Sequence, residues 1–456
     1  MTMFLKIRTQ TRWRLGFALV CLLAAYNMQD PHLLPVRAWA EPSLLLIALL
    51  SLAAAFRSWP KQRLAIAGSA LVWLAVIGFT VSGASAEYRH RRAIMHVSDL
   101  DPDLMSRLGE HLVMGYENPD EVRELAQRGL IGGVFITHRN TAGKSFEQIR
   151  AELAMLQDVR RQAKRPPLLI ATDQEGGPVS RLSPPLPLQA TLASVLADDL
   201  TPHEIEHRAR QYGTAQARAL ASLGINTNFS PVVDLKPVRA TRVLSLHTQI
   251  AERAIASDPD RVAEVALAYS QALLAQGVMP TLKHFPGLGS VTSDTHHFSA
   301  RLNNSLQDLN ARDWRPFQLV LRQTPALLMV GHVTVTALDE TRPASVSYRV
   351  LTGLIRQQWQ FNGVMISDDL SMAPIYNRGL CRASVESLNA GMDLLLVSYD
   401  WKKYYTVLDC LRHAAQSGEL QQLQQSHARL QALPWRKQNC PLPERPQMQD
   451  LQHKNI

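Results

Sequence analysis

The chain has 456 residues, 46% of them hydrophobic, which is enough to bury one large domain together with a further segment. Its formal net charge is +9, but residues 1–92 carry 11 Lys or Arg against 3 acids, while the remainder carries 37 against 36. Because the basic excess belongs to the N-terminal segment, the rest of the chain has no basic face for phosphate, and the composition argues against nucleic-acid binding.

The first 92 residues contain three uncharged apolar runs. The third run, residues 64–86, has 23 residues and exceeds the ~20 that a helix needs to cross a membrane. The first two, residues 15–29 and 42–56, have 15 residues each, so they cross only with little tilt, and the alternative is a hairpin within one leaflet. The pattern predicts a membrane anchor over residues 1–92 with up to three transmembrane helices.

Positive residues around these runs predict the orientation. Seven Lys or Arg lie before the first run or between the second and third, and four lie on the other side. After three crossings, the positive-inside rule places the remainder of the chain on the periplasmic or extracytoplasmic side of the cytoplasmic (inner) membrane. Two crossings would reverse this orientation. Residues 38–40 and 84–86 both resemble signal-peptidase sites, so a cleaved form is a further alternative.

The four cysteines set few constraints. Cys21 lies in the first apolar run and is expected to be a buried small hydrophobe. Cys381, Cys410 and Cys440 can form at most one disulfide among themselves, and their spacing does not identify the pair. The sequence has no Cys-x-x-Cys motif or His/Cys cluster, so we expect no metal and no other cofactor.

Beyond residue 92, short apolar runs alternate with helix-like stretches such as residues 145–162, 204–224 and 258–277. The runs show no alternation of polar and apolar residues, which is typical of parallel strands covered by helices on both faces. Seven units predict a (β/α)8 TIM barrel over residues 93–418 with one strand unidentified, and an open doubly wound sheet is the alternative. Residues 419–456 are predicted to form a C-terminal helix and a disordered tail. The seven runs are IGGVFIT (131–137), PLLIAT (167–172), NFSPVVD (228–234), VMPTLK (278–283), ALLMVG (326–331), GVMISD (363–368) and GMDLLLV (391–397).

Polar residues follow five of these runs at their C-terminal ends. In a barrel these ends converge on one face, where barrel enzymes carry their active sites. Taken singly, Asp173 and Asp234 could cap helices and His332 could be a core histidine, but the repeated placement indicates a site. The loop over residues 283–296 adds one lysine, one aspartate and two histidines and is predicted to be an active-site loop. The polar ends are residues 172–175, Asp234, Lys283 with His284, His332, and Asp368 with Asp369.

Six motifs in order resemble the signature of family 3 glycoside hydrolases, and most closely that of the bacterial β-N-acetylglucosaminidase (β-hexosaminidase) branch, over about residues 95–415. The resemblance implies a TIM barrel and a retaining mechanism with a covalent glycosyl-enzyme. The motifs are DQEGGPVSR (173–181), NFSPVVDL (228–235), IAERAIASDP (250–259), KHFPGLGSVTSDTH (283–296), GVMISDDLSM (363–372) and AGMDLLLV (390–397).

This resemblance also implies the catalytic residues. Asp368 corresponds to the carboxylate nucleophile, whereas Asp369 lies on the opposite side of an extended segment and is expected to support the loop. His296 corresponds to the acid/base that protonates the leaving oxygen and then activates water, and Asp294 would orient its ring. His297 has no counterpart role and is interpreted as a plain loop histidine.

Five further residues correspond to positions that hold the sugar hydroxyls and the N-acetyl group in the family: Asp173, Arg181, Arg253, Lys283 and His284. Carboxylates and arginine forks suit this task because charged hydrogen-bonding groups reject analogues that lack a hydroxyl. The alternatives are surface ion pairs for the two arginines and, for Lys283, neutralisation of the nucleophile without ligand contact.

Three positions depart from the family pattern. Leu288 and Ser290 stand where histidine and aspartate are usual, and Pro178 stands where arginine is common. Because the three catalytic positions are retained, we interpret these departures as altered specificity rather than lost activity.

The resemblance implies hydrolysis of terminal β-linked N-acetylglucosamine from peptidoglycan fragments such as muropeptides. Phosphorolysis is one alternative, because a histidine acid/base does not repel phosphate as a carboxylate does. A non-catalytic, membrane-anchored sugar-binding sensor is the other, although it would not need both a nucleophile and an acid/base pair.

Overall fold

The computed structural model describes residues 2–28, 33–57, 63–96, 101–196, 200–237, 249–291, 300–376, 378–421 and 423–436. The chain divides into two compact units, Met1–Asp99 and Leu100–Ile456. Helix α3 of the first unit continues to His96, past the predicted boundary at residue 92. Each unit is therefore described by itself.

The first unit consists of three helices, α1 (Thr2–Asn27), α2 (Leu34–Arg57) and α3 (Arg63–His96). Its buried core consists of apolar side chains, most of them small, together with one methionine, one leucine and one tryptophan. Many larger apolar side chains on all three helices are nevertheless exposed. The unit therefore presents an apolar outer surface as well as an apolar interior.

One helix in the described part of the chain is long and apolar enough to cross a membrane. It is Val36–Ala54, with 19 residues, a mean hydropathy of 1.5 and 11% of it buried. Leu15–Asn27 and Ser69–Ser85 are apolar but shorter. The described residues thus show one candidate crossing where the sequence predicted up to three. The 64–86 run contains seven Gly, Ser or Thr residues, which lower its apolarity.

The second unit is a closed barrel of eight parallel strands, in which neighbouring strands pair in chain order and the last pairs with the first. The predicted (β/α)8 barrel is confirmed, and ring closure excludes the open-sheet alternative. The strands are β1 (Leu112–Met114), β2 (Gly133–Ile136), β3 (Leu169–Thr172), β4 (Thr227–Asn228), β5 (Met279–Phe285), β6 (Leu327–Val330), β7 (Met365–Asp369) and β8 (Leu394–Val397).

Strand β1 is the one that the sequence analysis did not identify. Its three apolar residues are too few to be distinguished from other short apolar stretches. Every predicted run overlaps a strand, but NFSPVVD shares only Asn228 with the two-residue β4. Pro231 interrupts this run because it has no N–H for a ladder bond, and Val232 makes a single bridge to Lys283.

Helices lie between most strands and cover the barrel. The predicted helices at residues 145–162, 204–224 and 258–277 are confirmed, and the first begins with a reciprocal cap between Ser145 and Gln148. A π-helix at Arg349–Gln358 precedes β7. The α-helices are α4 (Pro102–Gly109), α5 (Pro119–Arg128), α6 (His138–Thr141), α7 (Phe146–Gln162), α8 (Pro202–Leu223), α9 (Ile250–Arg253), α10 (Pro259–Ala275), α11 (Leu306–Ala311), α12 (Arg315–Gln323), α13 (Ala373–Tyr376), α14 (Leu380–Asn389), α15 (Lys403–Gln416) and α16 (Leu423–Gln431).

Short elements complete the unit outside the barrel ring. Gln174–Gly176 and Val179–Ser180 form an antiparallel hairpin directly after β3. Ala300–Leu302 pairs in parallel with Val333–Val335. Single 3-10 turns occur at Leu192–Val195, Ala344–Val346 and Pro434–Arg436.

The C-terminal helix closes the barrel at the end opposite the strand carboxyl termini. Leu430 and Leu433 are buried in the same apolar cluster as the inward-facing strand residues. Asp393, fully buried just before β8, accepts hydrogen bonds of 2.8 Å from both Arg429 and Ser426. Helix α16 is therefore part of the barrel unit rather than a region of its own. Residues 437–456, which include the segment 441–456 that was predicted to be disordered, lie outside the described residues.

One disulfide links two helices of the barrel unit. Cys381 in α14 is bonded to Cys410 in α15, with a sequence separation of 29 and a Cα–Cα distance of 5.2 Å. This identifies the pair that the spacing had left open, and Cys440 lies outside the described residues. Cys21 is free and buried among the N-terminal helices, as predicted.

Candidate active site

Side-chain alternation along the strands brings predicted site residues to the mouth of the barrel. Inward-facing residues of β3, β5 and β7 belong to the apolar cluster inside the barrel. Side chains two residues apart on a strand lie on the same face. The residue that follows the last of these apolar side chains by two positions therefore also faces inward, at the carboxyl end of the strand where the barrel mouth opens. These residues are Asp173 after Ala171, Lys283 after Met279 and Thr281, and Asp368 after Ile366.

A buried cluster of charges occupies one side of this mouth. Lys283 Nζ lies 2.6 Å from Asp173 Oδ1 and 2.6 Å from Glu175 Oε1. Arg253 binds the same Glu175 carboxylate through two hydrogen bonds of 2.7 and 2.9 Å. The side chains of Lys283, Glu175 and Arg253 are only 2%, 5% and 7% exposed. The surface-pair alternative for Arg253 is therefore wrong.

The electrostatics of the cluster follow from burial and pairing. Burial raises the pKa of Glu175, but Arg253 and Lys283 outweigh it, so the pKa of this carboxyl lies below its ordinary value. Burial likewise lowers the pKa of Arg253, and the Glu175 charge more than reverses the effect. Glu175 and Arg253 are consequently both charged at neutral pH.

Asp234 orients His284 beside this cluster. Its fully buried carboxylate accepts hydrogen bonds from the Leu288 N–H at 2.7 Å and the His284 N–H at 3.1 Å. His284 Nδ1 lies 2.7 Å from Asp234 Oδ2 and must be the protonated nitrogen, because a carboxylate only accepts. His284 Nε2 then accepts from Arg253 at 3.4 Å. The outer nitrogen of the imidazole therefore lies next to the cluster.

The two adjacent aspartates at the end of β7 have different surroundings. Asp369 is buried, and its Oδ2 accepts from the Ser398 and Tyr399 N–H groups at 2.8 Å each, while its Oδ1 accepts from the Ser371 N–H at 2.8 Å. The expected loop-supporting role of Asp369 is confirmed. Asp368 is half-buried, and its Oδ1 accepts the Asp369 N–H at 2.8 Å.

Tyr399 is within electrostatic range of Asp368 and of two residues that were predicted to bind the sugar. Burial raises the pKa of its phenol, Arg181 opposes this rise, and Asp173, Asp368 and Asp369 add to it. All four charged groups are thus within electrostatic range of one phenol. The backbone N–H of Arg181 also donates a hydrogen bond to the backbone carbonyl of Asp173 at 3.0 Å. This backbone hydrogen bond holds Arg181 next to Asp173 in the segment that follows β3.

The structure does not bring together every residue that the sequence singled out. Asp294 and His296 lie outside the described residues, as does His297. His332 is buried, and its Nδ1 lies 2.7 Å from Ser345 Oγ and its Nε2 3.0 Å from the Asp369 carbonyl. Both ring nitrogens therefore have partners inside the protein, as the core-histidine alternative predicted. Within the described part of the chain, no group of three or more His, Cys, Asp or Glu could hold a metal ion.

Three residues of the site received no site role from the sequence. Glu175 and Asp234 were recognised only as polar residues at strand ends, although an acid two positions after Asp173 is a signal for a paired cluster. Tyr399 gave no signal, because an aromatic residue after a buried strand is common in any barrel.

The departures from the family pattern fall next to this site. Leu288 is buried, and the Ser290 hydroxyl lies 3.1 Å from Asp313 Oδ1. Burial raises the pKa of Asp313, and the hydrogen bond from Ser290 opposes the rise. Pro178 lies in the turn of the hairpin that follows β3.

A parallel barrel whose mouth combines a half-exposed carboxylate with buried carboxylates, arginine and lysine has the architecture of a barrel glycosidase. The protein-family model described as "Glycosyl hydrolase family 3 N terminal domain" matches residues 104–433 of the sequence. The chain belongs to glycosyl hydrolase family 3, as its motifs implied.

Bacterial β-hexosaminidases are among the similar proteins. The chain is 31% identical over 337 residues to β-hexosaminidase A of Pseudoalteromonas piscicida, covering 69% of this chain and 55% of that protein. It is 33% identical over 311 residues to the β-hexosaminidase of Tolumonas auensis, and the match covers 66% of this chain and 85% of that protein. It is 34% identical over 331 residues to β-hexosaminidase LpqI of Mycobacterium tuberculosis, covering 70% and 80%. The chain thus spans about half of the first relative and most of the other two.

Solved structures show the same fold. A glycoside hydrolase family 3 β-N-acetylglucosaminidase from Paenibacillus sp. has a TM-score of 0.66 at 28% identity, covering 73% of this chain and 62% of that one. LpqI from M. tuberculosis has a TM-score of 0.63 at 31% identity, and the match covers 73% of this chain and 93% of that one.

Proposed function

We propose that the protein is a retaining β-N-acetylglucosaminidase that hydrolyses terminal β-linked N-acetylglucosamine from peptidoglycan fragments through a covalent glycosyl-aspartate intermediate. The observation that carries this proposal is the placement of Asp368. Like Asp173, it is a partly buried carboxylate at a strand end, and its Oδ1 accepts the Asp369 N–H at 2.8 Å. The relatives named β-hexosaminidase support the same activity.

The charged cluster would bind the terminal sugar. Asp173 keeps partial exposure while Lys283 and Glu175 behind it are buried, so its carboxylate is the group of the cluster that sugar hydroxyls reach. Arg253, Glu175 and Lys283 fix one another by ion pairs before substrate arrives. This preorganisation lets hydrogen bonds to the sugar form without reorganisation cost.

Asp368 would then attack the anomeric carbon. Its hydrogen bond from the Asp369 N–H stabilises the ionised form, and the loop bonds of Asp369 hold that N–H in place. His296, oriented by Asp294, would protonate the leaving oxygen and later activate the water that releases the sugar. These two roles rest on the motif KHFPGLGSVTSDTH.

One incubation separates this proposal from its alternatives. The full-length protein in detergent is given an aryl β-N-acetylglucosaminide with and without phosphate, and the first product is followed by NMR. Free β-N-acetylglucosamine in both samples supports retaining hydrolysis. Sugar 1-phosphate formed only with phosphate indicates a phosphorylase, the α-anomer as first product excludes retention, and no product indicates the sugar-binding sensor.

We also propose that the N-terminal unit anchors the enzyme in the inner membrane with the barrel on the periplasmic or extracytoplasmic side. Of the large apolar side chains exposed in the described part of the chain, all but Leu188, Leu306 and Tyr348 belong to the three N-terminal helices. Such a surface is stable in lipid and costly in water. The Cys381–Cys410 disulfide supports an oxidising compartment for the barrel.

A further inference from the structure

The last residue of β4 is a buried asparagine that binds the backbone of the segment following β3. Asn228 Oδ1 accepts a hydrogen bond from the Gln174 N–H at 2.9 Å, and Asn228 Nδ2 donates one to the Gln174 carbonyl at 2.8 Å. The ladder between the two strands ends where Thr172 pairs with Asn228. The Asn228 side chain therefore extends the pairing of β3 with β4 beyond the last ladder pair, toward the barrel mouth.

The residue that Asn228 holds lies between two carboxylates of the charged cluster. Gln174–Gly176 is extended, and successive side chains of an extended segment point to opposite sides. Asp173 and Glu175, on either side of Gln174, both reach Lys283 Nζ at 2.6 Å. The position of the Gln174 backbone therefore sets how the two carboxylates flank one lysine.

The side chain of Gln174 faces the other way and binds the segment that carries Arg181. Its Oε1 accepts a hydrogen bond from the Leu182 N–H at 3.0 Å, and its Nε2 donates one to Ser183 Oγ at 2.8 Å. The Arg181 N–H in turn donates to the Asp173 carbonyl. Gln174 thus connects Asp173 and Arg181, two of the residues that were predicted to bind the sugar.

Two covering helices fix the orientation of the Asn228 carboxamide. Its Nδ2 lies 3.0 Å from the Tyr269 hydroxyl of α10 and 3.2 Å from Gln216 Oε1 of α8. The Tyr269 hydroxyl also donates to Gln216 Oε1. All three side chains are buried. A carboxamide turned the other way would set its NH2 against the Gln174 N–H, so only one orientation satisfies every group.

We propose that Asn228 is a positioning residue for sugar binding, which acts by holding the Gln174 backbone in place. The groups that it positions are those of Asp173, Glu175 and Arg181. Asn228 is fully buried, so it acts through Gln174 and not by contact with the sugar. The inference rests on the proposed function and adds a residue to its binding machinery. The alternative is a purely structural role, in which Asn228 affects stability but not the kinetics of the folded enzyme.

Asn226, just before β4, offers a matched control. Its Oδ1 accepts from the Ile170 N–H at 2.8 Å, and its Nδ2 donates to the Leu168 carbonyl at 2.9 Å. Asn226 thus binds the backbone of β3 as Asn228 binds the segment after it, but at the end of the strands that lies away from the mouth. A purely structural role predicts the same behaviour at both positions, whereas the positioning role predicts a kinetic effect only at Asn228.

The test compares Asn228→Leu with Asn226→Leu in the full-length protein in detergent. The measured quantity is kcat/KM for an aryl β-N-acetylglucosaminide, corrected for the folded fraction of each protein. Asn228→Leu has neither the acceptor nor the donor for Gln174, so the carboxylates on either side should shift and kcat/KM should fall at least about tenfold. Asn226→Leu should stay within about twofold of wild type, because no group of the site depends on it.

Asn228→Asp supplies a rescue that a structural role would not show. An ionised carboxylate cannot donate to the Gln174 carbonyl, whereas the protonated form donates through one oxygen and accepts the Gln174 N–H through the other. The ratio of its kcat/KM to that of wild type should therefore rise as the pH falls, and the division by wild type removes the titration of the catalytic groups. Tyr269 stays neutral in this range because burial raises its pKa. Asn228→Leu should give a low ratio at every pH.

Two results would overturn the positioning role: wild-type kcat/KM in folded Asn228→Leu, or an equal loss in Asn226→Leu. If Asn228→Leu does not fold, Asn228→Asp and Gln174→Met decide in its place, since Gln174→Met releases residues 181–183 without changing residue 228. Wild-type kinetics in both would then overturn the role. Failure of wild type to cleave an aryl β-N-acetylglucosaminide overturns the proposed function itself, and the positioning role with it.

Discussion

Glu175 balances two positive charges inside the barrel mouth. Lys283 and Arg253 both pair with its carboxylate, and neither side chain is more than 7% exposed. A buried ion pair contributes little net stability, but removing one partner leaves the other charges uncompensated. Glu175 is therefore the shared counter-charge of Arg253 and Lys283 in the proposed sugar-binding cluster.

Glu175→Gln should lower the free energy of unfolding by about 3–5 kcal/mol, because the buried Arg253 loses its carboxylate partner and Lys283 keeps only Asp173. It should also lower kcat/KM strongly. Urea unfolding in detergent, followed by tryptophan fluorescence, measures the change. The matched control is Glu206→Gln, which breaks an exposed pair with Arg210 and should leave stability almost unchanged. Equal stability of the two variants would contradict the account.

The same cluster predicts a pH dependence. The pKa of Glu175 falls from 4.5 to about 2 on folding, so its contribution is complete above pH 4.5 and is lost as the pH falls toward about 2. The difference in free energy of unfolding between wild type and Glu175→Gln should therefore be constant above about pH 5 and shrink on acidification. If the difference in free energy of unfolding instead grew below pH 4.5, the predicted pH dependence would be contradicted.

The loops after β7 and β8 act as one element because Asp369 joins them. Asp369→Asn replaces an acceptor with an amide whose NH2 faces backbone donors, so it should cost about 2–3 kcal/mol in the free energy of unfolding. It should also reduce kcat at least about tenfold, because the N–H that supports Asp368 moves. Asp120→Asn, an exposed change, is the control. Unchanged kcat in Asp369→Asn would show that the loops do not align the nucleophile.

The elements of the barrel could be predicted where their apolar runs were long. β3 and β7 were visible, and the run NFSPVVD indicated β4 but not its two-residue length, whereas the three-residue β1 was not identified. In the site, the polar residues at the strand ends were enough to predict where the barrel mouth lies. The ion-pair partner of each charged side chain could not be predicted, because it depends on tertiary packing. This is why Lys283 could be named from the sequence and its pairing with Glu175 could not.

The disulfide stabilises the barrel unit as a whole. Cys381 and Cys410 are separated by 29 residues, and closing a loop of that length stabilises the folded state by about 3–4 kcal/mol in the chain-entropy model. Cys381→Ser with Cys410→Ser should lose that amount, and dithiothreitol should lower wild type to the same level. Cys21→Ser is the control and should still respond to dithiothreitol. A wild type that does not respond would mean that the bond does not form.

Topology is tested by fusing a reporter that is active only outside the cytoplasm after Trp59 or Arg92. The charge bias predicts an active reporter after Arg92 and, for three crossings, an inactive one after Trp59. Activity at both positions would indicate that Val36–Ala54 is the one crossing before them. An inactive reporter after Arg92 would place the barrel in the cytoplasm and contradict the proposed orientation.

The central claim is that Asp368 forms a covalent bond to the sugar. A slow, fluorinated N-acetylglucosaminyl donor with a good leaving group should accumulate the glycosyl-enzyme, and peptide mapping by mass spectrometry locates the label. We expect a single label on the peptide that contains Asp368 and none in Asp368→Ala. A label on another carboxylate, or turnover of an activated substrate by Asp368→Ala at the wild-type rate, would contradict the assignment.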